Sequence, residues 1–164
     1  MQHRMKKEWP RWTRLASFAA LALVVGFVFS NSMAVAEQSS QVSGSLLDDL
    51  YLAMPFLRDW LTEHLLRKMA HVAEYSLVGL LLMLCLRSCT VHIGRHWTKP
   101  VLGGVLIALS DETIQLFVEG RSGQITDVWL DSAGVCFGLL LMWCILVFFA
   151  WVQARKYRNM GGNV

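Results

Sequence analysis

Polar side chains sit inside long apolar stretches of this chain at helical spacing: Lys68, His71 and Glu74 in one, Asp111, Glu112 and Gln115 in the next, Asp127 and Asp131 in the last. These residue types can do chemistry together. His71 is the natural proton carrier, with Glu74 or Asp111 as its orienting carboxylate, while Lys68 and Arg121 can clamp a phosphate or carboxylate group. Three carboxylate-bearing stretches and a histidine can instead hold a divalent metal, although the pattern assigns neither a metal nor any cofactor. Each Asp, Lys or Arg at the centre of a membrane helix costs roughly 2.5 to 3.5 kcal/mol on an insertion scale, so such groups imply mutual pairing or a wet cavity.

The elements that must position these groups are membrane helices. Hydrophobic residues make up 55% of the 164 and charged residues only 16%, far from an ordinary soluble balance. Four apolar runs, Leu15 to Ala36, Met69 to Leu86, Val101 to Val118 and Val128 to Val152, each approach or exceed the length that about 30 Å of hydrocarbon requires. A soluble bundle would need polar faces, which Leu77 to Leu86 and Cys136 to Phe149 do not offer. The expected fold is all-α, an integral membrane four-helix bundle with helices at about 15–36, 68–86, 100–119 and 127–152. The outer connection is 37–67, and basic tails cover 1–14 and 153–164.

Basic residues set the orientation. Arg4, Lys6, Lys7, Arg11 and Arg14 precede the first run; Arg87, Arg95 and Lys99 follow the second; Arg155, Lys156 and Arg158 close the chain. These belong in the cytoplasm with both termini. The first connection, with Glu37, Asp48, Asp49, Asp59 and Glu63, and the turn from Gly120 to Thr126 face outward. Trp9, Trp12, Trp97 and Trp151 fall at inner ends, Trp60 and Trp129 near outer ones, and Trp143 fits neither belt. The net charge of +3 reflects this anchoring and does not point to nucleic acid. Basic residues, an apolar core and Ala34-Val35-Ala36 also resemble a cleavable signal peptide, but the run is long enough to span, and a retained anchor is the preferred reading.

Cys85, Cys136 and Cys144 lie in apolar runs and read as small core residues, Cys89 falls on the cytoplasmic side, and no Cys/His ligand spacing appears. Glu37 to Gly44 is polar and Ser-rich and reads as a loop. Ser45 with Asp48 then starts a helix carrying Leu47, Leu50, Tyr51 and Met54 on one face before Pro55. Phe56, Leu57, Trp60 and Leu61 form a second stripe, and both segments read as short amphipathic interfacial helices, or as a connector packed on the bundle.

Depth follows from about 1.5 Å of rise per residue. Lys68 lies at the outer boundary, His71 about 4 Å and Glu74 about 9 Å below it, Gln115 about 7 Å and Asp111 about 13 Å deep, and Asp131 about 6 Å down. All the polar groups therefore occupy the outer half. Lys68, His71, Glu74 and Tyr75 make one stripe; Asp111 or Glu112 with Gln115 and Glu119 a second; Asp127, Asp131, Gly134 and Gly138 a third. The Gly134/Gly138 spacing allows a neighbouring backbone to approach closely.

The run Arg67-Lys68-Met69-Ala70-His71-Val72-Ala73-Glu74-Tyr75, then Asp111-Glu112 with Gln115, Phe117, Gly120 and Arg121, then Asp127, Asp131 and Gly134, resembles the VanZ-like family of small bacterial membrane proteins. Phe29-Ser30-Asn31-Ser32 and the Ser-rich stretch from Gln38 to Ser45 extend the likeness. Asp131 departs from the pattern, since that position is often Asn in the family. The resemblance implies an association with resistance to the glycopeptide teicoplanin, for which the family supplies no assigned mechanism.

Two functions stay open on the residues. One is an outer-leaflet site that binds or acts on a membrane lipid or lipid-linked envelope intermediate through Lys68, His71, Glu74, Tyr75, Asp111, Glu112, Gln115, Arg121, Asp127 and Asp131. The other is a scaffold in which the same cluster only locks helix packing. Transport is disfavoured, because Leu77 to Leu84, Val101 to Leu109 and Cys136 to Phe149 carry no charge. GxSxG, HExxH and P-loop signatures are missing, so whether the protein is an enzyme stays open.

Overall fold

The structure, a computed structural model, describes residues 9–34, 36–121 and 123–160. Arg4, Lys6 and Lys7 of the amino-terminal stretch and Val35 of the small-residue pattern lie outside the described residues. Within them the chain is all-α: α1 (Arg11–Ser32), α2 (Ala36–Ala53), a 3-10 turn (Pro55–Asp59), α3 (Glu63–Cys89), a second short turn (Ile93–Arg95), α4 (Thr98–Gln115) and α5 (Ile125–Met160). Three of these, α1, α3 and residues 125–156 of α5, are long and apolar enough to cross a membrane. α4 carries Lys99, Asp111 and Glu112 within 18 residues, so its composition alone does not mark it as a span.

Several boundaries differ from the sequence expectation. The expected loop from 37 to 44 is helical, and α2 starts at Ala36 rather than Ser45. Ser45 does not cap a helix start; its hydroxyl donates to the Val42 carbonyl 3.0 Å away, inside the helix. The reason lies in spacing: Val42, Leu46 and Leu50 continue the apolar ladder backwards at four-residue intervals, and that ladder outweighs the Ser-rich composition. α3 begins at Glu63 because Thr62, in an extended conformation, accepts a hydrogen bond from Leu65 N–H at 3.2 Å. α4 ends at Gln115 rather than 119, and the chain then turns through Gly120, whose φ of 76° suits glycine. Between α2 and α3, Leu57 and Leu61 are buried while Phe56 and Trp60 remain exposed.

α3 is the hub, packing against α1, α2, α4 and α5. Its pairing with α5 is parallel. Lys68 meets Asp127, His71 meets Asp131, Val72 and Tyr75 meet Gly134, and Ser76 meets Gly138, an almost constant sequence offset. A Cβ on Gly134 would fall 2.9 Å from the Val72 carbonyl oxygen and 3.2 Å from Tyr75 Cβ, and a Cβ on Gly138 would overlap the Ser76 carbonyl. The glycine spacing read from α5 therefore does admit a backbone neighbour, and Gly79 on α3 receives Val135 in the same way. α1 runs antiparallel to α3: Ser17 donates to Ser88 Oγ at 3.3 Å, and Arg87 lies over the Trp9 ring at one end. Val28, Tyr75, Val78, Met83, Ala108, Val135 and Leu139 form the fully buried core where these helices meet.

Two smaller expectations are corrected. Cys85 alone of the four cysteines is buried; Cys89, Cys136 and Cys144 are exposed on the chain. Trp143, which fitted no belt, packs edge-on against Trp97 with ring centroids 6.4 Å apart, so it belongs with the α4 start.

Candidate functional site

The polar groups of α3, α4 and α5 gather at the end of the bundle opposite the Arg87–Trp9 contact, in tiers. At the rim, Lys68 Nζ lies 3.1 Å from Asp127 Oδ1. Arg67, one residue earlier and so about 100° around the helix, points elsewhere and bonds Glu63 at 2.6 Å and Ser40 at 2.9 Å. One tier down, His71 Nδ1 is 3.7 Å from Asp131 Oδ1, close enough for an ion pair and too far for a good hydrogen bond. Glu74 Oε1 accepts from Asn31 Nδ2 at 3.1 Å. Most completely buried are Asp111 and Asp131, both 0% exposed.

Gln115 ties the deep tier together. Its Nε2 reaches Asp111 Oδ2 at 3.4 Å, Glu112 Oε1 at 3.3 Å and Ser32 Oγ at 3.5 Å. Glu112 Oε2 in turn accepts the Gln124 backbone N–H at 2.8 Å, fastening the connection between α4 and α5. Arg121 donates to the Asn31 carbonyl oxygen at 3.1 Å, closing the same connection onto α1. Burial, together with the nearby charge of Arg67, lowers the Arg121 pKa, while Asp111 and Glu112 oppose that shift; a guanidinium stays charged regardless.

Two cavities open between these tiers. The larger, about 580 Å³, lies between α1, α2 and α3; Arg67, Arg121, His71, Glu74 and Asn31 give it polar walls, and Val42, Leu46 and Leu66 apolar ones. The smaller, about 180 Å³, is mainly polar and includes His64, Glu112, Gln115, Asp127 and Asp131. Arg67, His71 and Arg121 line both. Lys68 lines neither, and its ammonium is engaged by Asp127.

A family model described as VanZ/LLP1 matches residues 17–154. The chain belongs to the VanZ-like family. That match covers every residue of the cluster, from Asn31 on α1 to Asp131 on α5. No curated protein and no solved structure matches the chain.

In this VanZ-like chain the fold brings His71, Glu74, Tyr75, Asp111, Glu112, Gln115, Arg121, Asp127 and Asp131 to one end of the helices. It reaches Lys68 only as the partner of Asp127. The sequence reading named Arg67, Asn31 and Ser32 only as carriers of the resemblance and did not place them in the site, and it gave no part to the backbone of Gln124. A signal existed for two of them: Asn31 and Ser32 are polar residues closing a long apolar run. Ser110, beside Asp111, bonds its own helix through the Leu106 carbonyl at 2.8 Å and takes no part.

Proposed function

We propose that this VanZ-like protein is a multi-pass protein of the bacterial cell membrane that binds the anionic headgroup of an envelope lipid, or of a lipid-linked cell-wall intermediate, in the outer leaflet. One observation carries the reading: the larger cavity is amphipathic, lined by the guanidinium-bearing Arg67 and Arg121 and by the apolar Val42, Leu46 and Leu66. Two arginines whose charges oppose one another at one cavity are eased by an anion between them, and planar guanidinium groups suit phosphate or carboxylate. An apolar wall beside that anion suits an acyl or isoprenoid chain.

In this reading α4 crosses as a fourth span, its carboxylates tolerated because they face other helices and the cavity. α2 and the 3-10 turn lie at the outer interface, and both termini are cytoplasmic. α1 is retained in the mature protein, since Asn31 and Ser32 complete the cluster. The family's association with teicoplanin then becomes understandable as competition for, or alteration of, a lipid-linked target.

Native mass spectrometry after gentle extraction tests the reading, with Arg67→Gln/Arg121→Gln beside the wild type. Expected is an anionic lipid on the wild type and its loss from the folded double variant. Wild-type protein without lipid, or an unchanged lipid signal in the variant, refutes it. A second reading, a packing lock without ligand, is favoured by Gln115, whose amide joins α1 to α4. His71→Ala, Glu74→Gln and Asp127→Asn separate the two: folded protein that loses glycopeptide tolerance supports a site, while loss of the folded protein in all three supports the lock.

A further inference from the structure

Beside the larger cavity, buried polar atoms converge without hydrogen-bond partners. They are His71 Nδ1, Asp111 Oδ1, both carboxylate oxygens of Asp131 and the Tyr75 hydroxyl. Buried polar groups are satisfied in the great majority of cases, so several orphans at one point call for a missing partner. One ligand atom from each of His71, Asp111 and Asp131 lies within 4.8 Å of the others, and these come from three different helices.

Charge sharpens the question. Asp111 and Asp131 are wholly enclosed, and two enclosed carboxylates this close demand positive charge or a shared proton. Among the described residues Lys68 is paired with Asp127 and Arg67 with Glu63, while Arg121, which donates to the Asn31 carbonyl, lines the smaller cavity beside Asp131 without an ion pair to it. Among the described residues His71 is the group in ion-pair contact with an enclosed aspartate, Asp131.

We infer that His71, Asp111 and Asp131 form a binding site for a divalent first-row transition metal of the Zn²⁺ or Mn²⁺ type, with an open coordination position facing the smaller cavity. The donor set decides the class. One imidazole nitrogen and two carboxylates suit zinc or manganese; a calcium site would ask for six to eight oxygens, and magnesium avoids imidazole. Metal–ligand bonds of about 2.0 to 2.2 Å place ligand atoms roughly 3.0 to 3.5 Å apart. The His71–Asp131 pair, at 3.7 Å, is nearly there, and from the 4.8 Å limit no pair needs to close by more than about 1.8 Å.

Three protein ligands leave a fourth position for water or a ligand oxygen, the arrangement of working rather than structural zinc sites. His71 and Asp131 both line the smaller cavity, which gives that position a way out. Gln115, bonded to the second oxygen of Asp111, orients that ligand from behind. The site does not depend on the lipid reading: it needs only the three ligand residues.

The test uses the full chain in detergent, stripped with chelator and reloaded with Zn²⁺ or Mn²⁺ alone. Metal content, equilibrium dialysis and the thermal shift on metal addition are measured. The wild type should take up one metal per chain and melt higher with it. Asp131→Asn, which preserves size and leaves only one acidic ligand, should weaken binding by at least about tenfold, the lower edge of what losing even an outer partner costs. Asp111→Asn should do the same, and Glu119→Gln should bind as the wild type does. A wild type that takes up no metal overturns the inference whatever the variants do. So does uptake that is equal in the wild type and both aspartate variants, because the metal then sits elsewhere.

Discussion

Gly138→Ala tests the architecture where it is tightest. In an ordinary helix the change gains about 0.5 to 1 kcal/mol, because alanine loses less backbone freedom on folding. At this position the added methyl would overlap the Ser76 carbonyl and lie 2.8 Å from Leu80 N, both backbone atoms of α3. Backbone cannot rotate aside as a side chain does, so α3 and α5 must part. Overpacking costs typically 1 to 3 kcal/mol, and with a backbone neighbour the upper part of that range applies, leaving a net loss of about 1 to 2 kcal/mol. The parting also carries Asp131, two turns away on the same face, out from His71 beyond its present 3.7 Å. Gly26→Ala in α1 is the matched control, since a methyl there meets nothing within 4 Å. Reversible unfolding of the detergent-solubilised protein with sodium dodecyl sulfate reads both. Gly138→Ala should be the less stable of the pair by roughly 2 to 3 kcal/mol, the packing loss alone, because the helical gain is common to both. A Gly138→Ala protein as stable as Gly26→Ala would refute close α3–α5 packing, and the site geometry with it.

Two further outcomes follow from the tiers of the site. A double-mutant cycle on Lys68→Met and Asp127→Leu should return a coupling under about 1 kcal/mol, since this rim pair is partly exposed and screened; a larger value would mean the pair is shielded by lipid or partner. Glu112→Ala should cost about 1 to 3 kcal/mol by stranding the Gln124 N–H. Hydrogen exchange at Gln124 reports it directly: faster exchange is expected, and unchanged protection would show that the carboxylate does not hold that connection.

Much of the site was legible because helical spacing is strict. His71, Glu74 and Tyr75 had to share a face, and so did Asp127 and Asp131, whatever the tertiary structure. Which of two adjacent cations turns inward is a different matter. Arg67 and Lys68 differ by one step of rotation, and only the placement of α2 and α5 decides that Arg67 meets Ser40 and the cavity while Lys68 meets Asp127. The wall contributed by α2 was hidden for a related reason, because a Ser-rich stretch has the same composition as a loop or as the polar face of a helix. Asn31 and Ser32 were legible as polar residues, but their use depends on α1 lying antiparallel to α3, a fact of packing rather than pattern.

α5 is 36 residues long, which at 1.5 Å per residue is about 54 Å, well beyond the roughly 30 Å of a hydrocarbon core. Its close contacts with α3, around Gly134 and Gly138, sit towards the site end. The helix therefore behaves as a lever with unequal arms. From Gly138, Asp131 is about 10 Å away in one direction and Arg158 about 30 Å in the other. A tilt that displaces Asp131 by 1 Å would sweep Arg158 through about 3 Å, so small adjustments at the enclosed carboxylates emerge amplified among the basic residues at the far tip.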